Sequence, residues 1–144
     1  MVGLPGSGKS TYLEKLGVAA LSSDAIRELL IDDPKNQTIH GRVFATVRYL
    51  LRLRLELARP VTYIDATNLT QKERRPYLKT AELHDADAEA IFFDTPVEVC
   101  MARNAARHRV VPEAAIREMA ARLRPPSFEE GFLRITVIQP ARVG

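Results

Sequence analysis

Cysteine and aromatic residues are scarce in this sequence, and tryptophan is absent. Cys100 stands alone among 144 residues, so no internal disulfide can form, and no Cys/His cluster has the spacing of a zinc site. Aromatics make up 6% of the chain and do not interleave with basic residues, which argues against a base-stacking platform. No apolar run approaches the roughly 18 residues that span a bilayer, so a transmembrane protein is excluded and no membrane partner is expected. No basic-then-apolar leader precedes a small-residue cleavage site. A reducing, cytoplasmic setting is the resulting expectation. Internal repeats, low-complexity tracts and long linkers are also missing, so residues 1–144 read as one domain.

Hydrophobic residues make up 46% and charged residues 27%, a globular balance. The net charge of +3 says little, but its distribution says more. Residues 42–59 carry five arginines against Glu56, and residues 101–124 carry six against Glu113 and Glu118. Residues 82–98 carry six acids and no base. The basic residues are 16 arginines and 5 lysines. Arginine's planar fork of donors suits phosphate, although long basic side chains are also ordinary on solvated helix faces.

Strand and helix signals alternate. Ser10–Leu16 reads as a helix ended by Gly17, Val18–Leu21 as a short strand, and 24–31 as a helix. Residues 38–58 read as a long helix with Ile39, Val43, Val47, Leu50, Leu51 and Leu57 on one stripe. Strands are expected at 61–65, 88–94 and 134–138, and a helix at 112–123. Thr70 with Glu73, Thr95 with Glu98, and Ser127 with Glu130 each have capping-box spacing, and Pro96 suits a first helical position. This order implies an α/β fold with a parallel sheet covered by helices on both faces, binding ligands at the carboxyl ends of its strands.

The strongest motif is Gly3-Leu4-Pro5-Gly6-Ser7-Gly8-Lys9-Ser10-Thr11, which matches G-x-x-x-x-G-K-[ST] in full. Glycines let successive N–H groups curl inward as an anion nest, and the following helix aims its positive end at the same spot. Gly3, Pro5, Gly6, Ser7, Gly8, Lys9, Ser10 and Thr11 are therefore the expected nucleotide-binding residues. Lys9 can reach the outer phosphates of ATP or another NTP, and Ser10 can place its hydroxyl on Mg²⁺. The architecture expected is a P-loop NTPase fold with a five-stranded parallel sheet in the order 2-3-1-4-5 and a helical lid. Only Met1 and Val2 precede Gly3, so the first strand is expected to be weak and to lack its N-terminal part.

A GTPase would need a base-reading Asn-Lys-x-Asp, which is not found, and a motor would need a larger chain. A small domain with its own lid fits a phosphotransferase. Asp24 follows the second strand and can take the proton of an attacking hydroxyl, although it also suits a first-turn acid. Arg27, three residues on, shares its helix face and can clamp an anion. Arg103 and Arg107, spaced i, i+4, are expected on one face of the helix after Thr95-Pro96, with Arg109 just beyond. They suit a lid that neutralises charge on the transferred phosphoryl group, or a plain solvated helix end. Asp65 ends a strand, where it can serve magnesium or cap a local turn. Arg48, Arg52 and Arg59 share a face of the long helix and can track a phosphate backbone; Arg52 can equally pair with Glu56. His40, His84 and His108 have no metal spacing and no nucleophile partner, so no role is expected of them.

Taken in order, Gly3–Thr11, Ser22-Ser23-Asp24-Ala25-Ile26-Arg27, Asp65-Ala66-Thr67-Asn68 and Arg103-Asn104-Ala105-Ala106-Arg107 resemble the kinase domain of bacterial and phage polynucleotide kinase-phosphatases. Asp32-Asp33, Gln37-Thr38 and Glu130-Gly131-Phe132 extend the similarity along nearly the whole chain. The same set also resembles other small kinases of this P-loop group, including zeta-toxin-like ones. The resemblance implies a 5′-hydroxyl polynucleotide kinase using ATP or another NTP with Mg²⁺, acting on RNA or DNA ends. It implies that Asp24 activates the 5′-hydroxyl and Arg27 holds the adjoining phosphate. Arg103 and Arg107 would contact the donor phosphates from the lid. Relatives of this kind carry phosphatase or ligase modules; none lies within these residues, so the kinase step alone is expected of them. A small-molecule or nucleoside kinase, and a nucleotide-binding module without turnover, are the two other readings.

Overall fold

Capping chemistry sets most of the element boundaries. The computed structural model describes residues 1–107 and 110–140. Helix α1 (Lys9–Leu16) stops where Gly17 turns left-handed and its amide bonds back to Glu14. Strand β1 (Leu21–Ser22) runs straight into α2 (Ser23–Ile31), because the Ser22 hydroxyl accepts the Ala25 amide at 3.2 Å and caps the helix. There follow α3 (His40–Glu56), β2 (Ile64–Asp65) and α4 (Gln71–Leu83). The chain continues through β3 (Glu89–Phe93), α5 (Val97–Ala105) and α6 (Glu113–Arg122). A 3₁₀ turn at Phe128–Glu130 leads into β4 (Arg134–Ile138).

The sheet is smaller than the alternation implied. Two parallel pairs form, β1 with β2 and β3 with β4, in place of one five-stranded sheet. Residues 1–3 lie between the pairs. Val2 makes a single parallel bridge to Phe92, and the Gly3 amide donates to the Thr67 carbonyl on the other side. The order across the molecule is therefore 21–22, 64–65, 1–3, 89–93, 134–138, but Val2 alone cannot extend a ladder. The strand expected at 61–65 keeps only its last two residues. Arg54 takes the Val61 carbonyl at 2.8 Å, so that carbonyl is bonded to a guanidinium rather than to a neighbouring strand, and Arg54 also donates to the Thr62 hydroxyl at 2.9 Å. The strand expected at 18–21 meets the observed β1, Leu21–Ser22, only at Leu21.

Helix α3 begins at His40 rather than Thr38, whose amide and hydroxyl both bond Asn36 Oδ1 in a local turn. Its buried stripe is Val43, Val47 and Leu51, while Leu57 is exposed beyond the helix end. Val43 and Val47 are fully buried with Ile26, under Leu21, Ile39, Phe44, Leu50, Ile64 and Tyr77. Burial of each such valine is worth about 1.5–3 kcal/mol, which fastens α2 and α3 over the β1–β2 pair. A second cluster, Leu4, Leu69 and Cys100, packs with Val97, Met119, Ala120 and Leu123, and ties α5 and α6 to the segment before α1.

The three capping boxes fare differently. Thr70 caps α4 by accepting the Glu73 amide, but the Glu73 carboxylate bonds the Leu69 amide at 2.8 Å rather than that of Thr70. Ser127 and Glu130 form a box, on a 3₁₀ turn rather than an α-helix. Thr95 caps nothing: Pro96 is the N-cap of α5, and the Thr95 hydroxyl goes elsewhere. A buried ion pair closes the back of the fold. Arg74 meets Glu130 at 2.8 and 3.0 Å and donates to the carbonyls of Asn68 and Arg124, both at 2.9 Å.

Candidate active site

Residues 3–8 form a loop that only glycine permits at two points. Gly6 has φ of 81°, and a Cβ there would sit 2.5 Å from the Cys100 carbonyl oxygen of α5. Gly8 has φ of 110° and is the N-cap of α1, where no side chain caps the first-turn amides. With no acid in that first turn, the loop and the helix end present donors to an anion. This is the chemistry a polyphosphate requires.

The Lys9 ammonium bonds the carbonyls of Gly3 and Leu4 at 2.7 and 2.8 Å, which folds its side chain back over the loop. Burial lowers its pKa to about 8, against the attraction of Asp65. Burial raises the Asp65 carboxyl, against the pull of Lys9. Ser10 and Asp65 line the same cleft, and among the described residues no cluster of three or more His, Cys, Asp or Glu could cage a metal. That donor set fits Mg²⁺, which draws most of its oxygens from phosphates and water and few from protein.

The cleft measures about 1230 Å³. It gathers the loop from Pro5 to Thr11 together with Asp24, Arg27, Asp65, Arg103 and Arg107. Gly3 is not on its lining; it lies beneath the loop, where a Cβ would meet the Ser7 hydroxyl. Asp24 and Arg27 sit on successive turns of α2, with Nη1 of Arg27 3.2 Å from Oδ1 of Asp24. The carboxylate is open, its side chain 63% exposed, whereas the guanidinium is 5% exposed. An exposed acid on a buried arginine is a group free to meet a substrate and fixed from behind.

Arg103 and Arg107 do not share a helix, contrary to their spacing. Helix α5 ends at Ala105, and Arg107 lies past the C-cap with its amide on the Asn104 carbonyl. Buried Asn104 replaces the helix as the brace, donating to the Val111 carbonyl at 2.6 Å and accepting the Val111 amide at 2.9 Å. Both arginines thus reach the cleft by different routes. Arg109 and His108 lie outside the described residues.

Sequence reasoning missed the far wall. Lys35, Gln37, His40 and Phe44 line it, and the Nδ1 of His40 stands 3.5 Å from the Nη2 of Arg27. No motif marked His40; only its place just inside the start of α3, beside α2, brings it there. The stripe Arg48, Arg52 and Arg59 does not line the cleft, and Arg52 instead lies near Glu56 and over the Tyr49 ring.

The sequence matches the AAA domain family over residues 1–126. The chain belongs to that family. No curated protein matches it. Membership in this AAA domain family, a P-loop NTPase group that includes kinases, brings the P-loop α/β fold and a nucleotide-binding, kinase-type domain. The AAA domain match covers the phosphate loop, α2 with Asp24 and Arg27, Asp65, and α5 with its following loop. No helix among the described residues is long and apolar enough to cross a membrane.

Proposed function

We propose that this domain transfers the γ-phosphoryl group of ATP or another NTP to the 5′-hydroxyl of an RNA or DNA end. One observation carries the reading: a single cleft joins the phosphate loop to an exposed carboxylate fixed on a buried arginine, with two further arginines on its rim.

The loop amides and Lys9 hold the donor's polyphosphate. Asp24 accepts the proton of the 5′-hydroxyl as that oxygen bonds to the γ-phosphorus, and the bond from phosphorus to the bridging oxygen breaks to release the nucleoside diphosphate. Arg27 holds Asp24 in place from behind, and its charge would attract the phosphate next to the acceptor hydroxyl. Arg103 and Arg107 offset charge on the transferring group. Ser10 and Asp65 would hold Mg²⁺, which supplies charge neutralisation on the phosphates.

The burial of Arg27 favours a second reading, a small hydroxylated acceptor such as a nucleoside seated against the wall of Gln37, His40 and Phe44. Incubation with γ-labelled ATP, Mg²⁺ and three acceptors separates the readings. Label on a 5′-hydroxyl oligonucleotide supports the first. Label on nucleoside alone rejects it in favour of the second. Tight ATP binding with no label on any acceptor indicates a binding module without turnover. Association with phosphatase or ligase end-healing modules belongs to the first reading only.

A further inference from the structure

Thr95 looks like half of a capping box, yet its hydroxyl donates to the Ser7 carbonyl at 3.0 Å, 88 residues away in sequence. The bond is buried, and Thr95 is 8% exposed. Ser7 and Gly8 line the cleft, whereas Thr95 does not, so the bond reaches the loop from behind. Its anchor is firm: the Thr95 amide bonds the Phe93 carbonyl at 3.0 Å, the Phe93 amide bonds Val2 at 2.8 Å, and Pro96 fixes the next φ at −54°.

A trans peptide points its C=O and N–H in opposite directions. Drawing the Ser7 oxygen back toward Thr95 therefore turns the Gly8 N–H forward, toward the cleft. Nothing else about Gly8 guarantees this orientation. With no Cβ, it tolerates φ of either sign, so a rotated Ser7–Gly8 peptide is open to it. The rotated form would put a carbonyl oxygen where a phosphate oxygen belongs.

We propose that Thr95 is a positioning residue for the phosphate loop, selecting the orientation of the Ser7–Gly8 peptide in which the Gly8 amide serves an anionic ligand. The inference rests on the nucleotide-binding reading of the loop. Titration of the intact chain with ADP and Mg²⁺, followed by calorimetry and by the Gly8 amide resonance, tests it. Thr95→Val, which removes the donor and keeps the shape, should weaken ADP binding at least tenfold and abolish the downfield shift of the Gly8 amide on ADP addition. Thr95→Ser should restore both to within threefold. If Thr95→Val does not fold, Thr95→Ala is read in the same way. Binding by the donor-less variant within twofold of wild type, or a Ser variant as weak as it, would overturn the role of Thr95. Failure of the wild-type chain to bind ADP would overturn the loop reading, and this inference with it.

Discussion

The donor wall and the acceptor wall of the cleft are built differently. The donor wall is main chain held by main chain and by buried side chains. Gly6 presses on α5, Ser7 is bonded to Thr95, Leu4 is packed with Cys100, and Asn104 brackets Val111. The acceptor wall is side chain on side chain. Asp24 rests on Arg27, and Arg27 faces His40, with α2 and α3 held together by Ile26, Val43 and Val47. A group that must grip the same polyphosphate each time suits a stiff backbone nest. A wall that selects an acceptor depends on residues that can be exchanged without disturbing the loop. The contrast therefore predicts that changes on the donor wall alter nucleotide affinity, turnover or both, whereas changes on the acceptor wall alter turnover at constant affinity.

The largest effect should come from outside both walls, at the buried ion pair of Arg74 and Glu130. Arg74 carries the Asn68 carbonyl, close to Asp65, and its side chain is 3% exposed against 6% for Glu130. Burial pushes the Glu130 carboxyl up, but hydrogen bonds from Arg74 and the Ser127 amide outweigh it and hold it below its usual value. Arg74→Met leaves that carboxylate buried and unpaired, and should cost about 3–5 kcal/mol in urea unfolding. Adding Glu130→Gln should recover part of the loss. Because the Glu130 value is lowered, the pair's contribution is full above pH 4.5 and fades as pH falls through the shifted value.

Next in size is Lys9→Met. It should lower turnover by about 10²–10³ and weaken ADP binding, since the ammonium serves both the bound donor and the transferring group. Asn104→Ala should reduce turnover by about 10- to 100-fold by releasing the brace from Asn104 to Val111 beside Arg103 and Arg107. Asn104→Asp, which sets a buried carboxylate oxygen against the Val111 carbonyl, should fall at least as far as Asn104→Ala. Single-turnover rates with saturating ATP measure all three.

The smallest effect is a pH dependence confined to the donor wall. Burial of its charge lowers the Lys9 pKa from an ordinary 10.5 to about 8 in the folded chain. Between these values the unfolded chain holds a proton that the folded chain has lost, so folding stability should rise with pH across that window. ADP affinity should move the other way, falling about tenfold per pH unit above 8, because a polyphosphate needs the ammonium charged. Calorimetry in buffers of different ionisation heat should register proton uptake on binding. An affinity that stays flat from pH 7.5 to 9.5 would contradict the burial of the Lys9 charge.

Legibility in the sequence follows the same division. The loop Gly3–Thr11 and the end of α1 at Gly17 are local, so spacing and backbone chemistry revealed them. Lys9, Asp24, Arg27, Asp65, Arg103 and Arg107 all reach the cleft that their motifs suggested. The strands expected at 88–94 and 134–138 form nearly or fully at those bounds, whereas those expected at 18–21 and 61–65 do not keep their length. Val61 and Thr62 have strand composition, yet Arg54 from the preceding helix takes the Val61 carbonyl, a tertiary effect that no window reveals. Thr95 has capping spacing, yet its hydroxyl reaches the loop, because the end of β3 lies against residues 88 positions earlier. His40 carried no signal, for its role depends on how α3 crosses α2. Arg103 and Arg107 both line the cleft, but not through the helical spacing that suggested it, since α5 ends two residues before Arg107.

The most direct test compares Asp24→Asn with wild type on two readings at once: ADP affinity, and the rate of label transfer to a 5′-hydroxyl oligonucleotide. The account predicts an affinity within about twofold of wild type and a transfer rate lowered by at least about a hundredfold, the usual reach of a lost general base. Transfer within about threefold of wild type, a barrier change below about 1 kcal/mol, would show that Asp24 does not activate the acceptor.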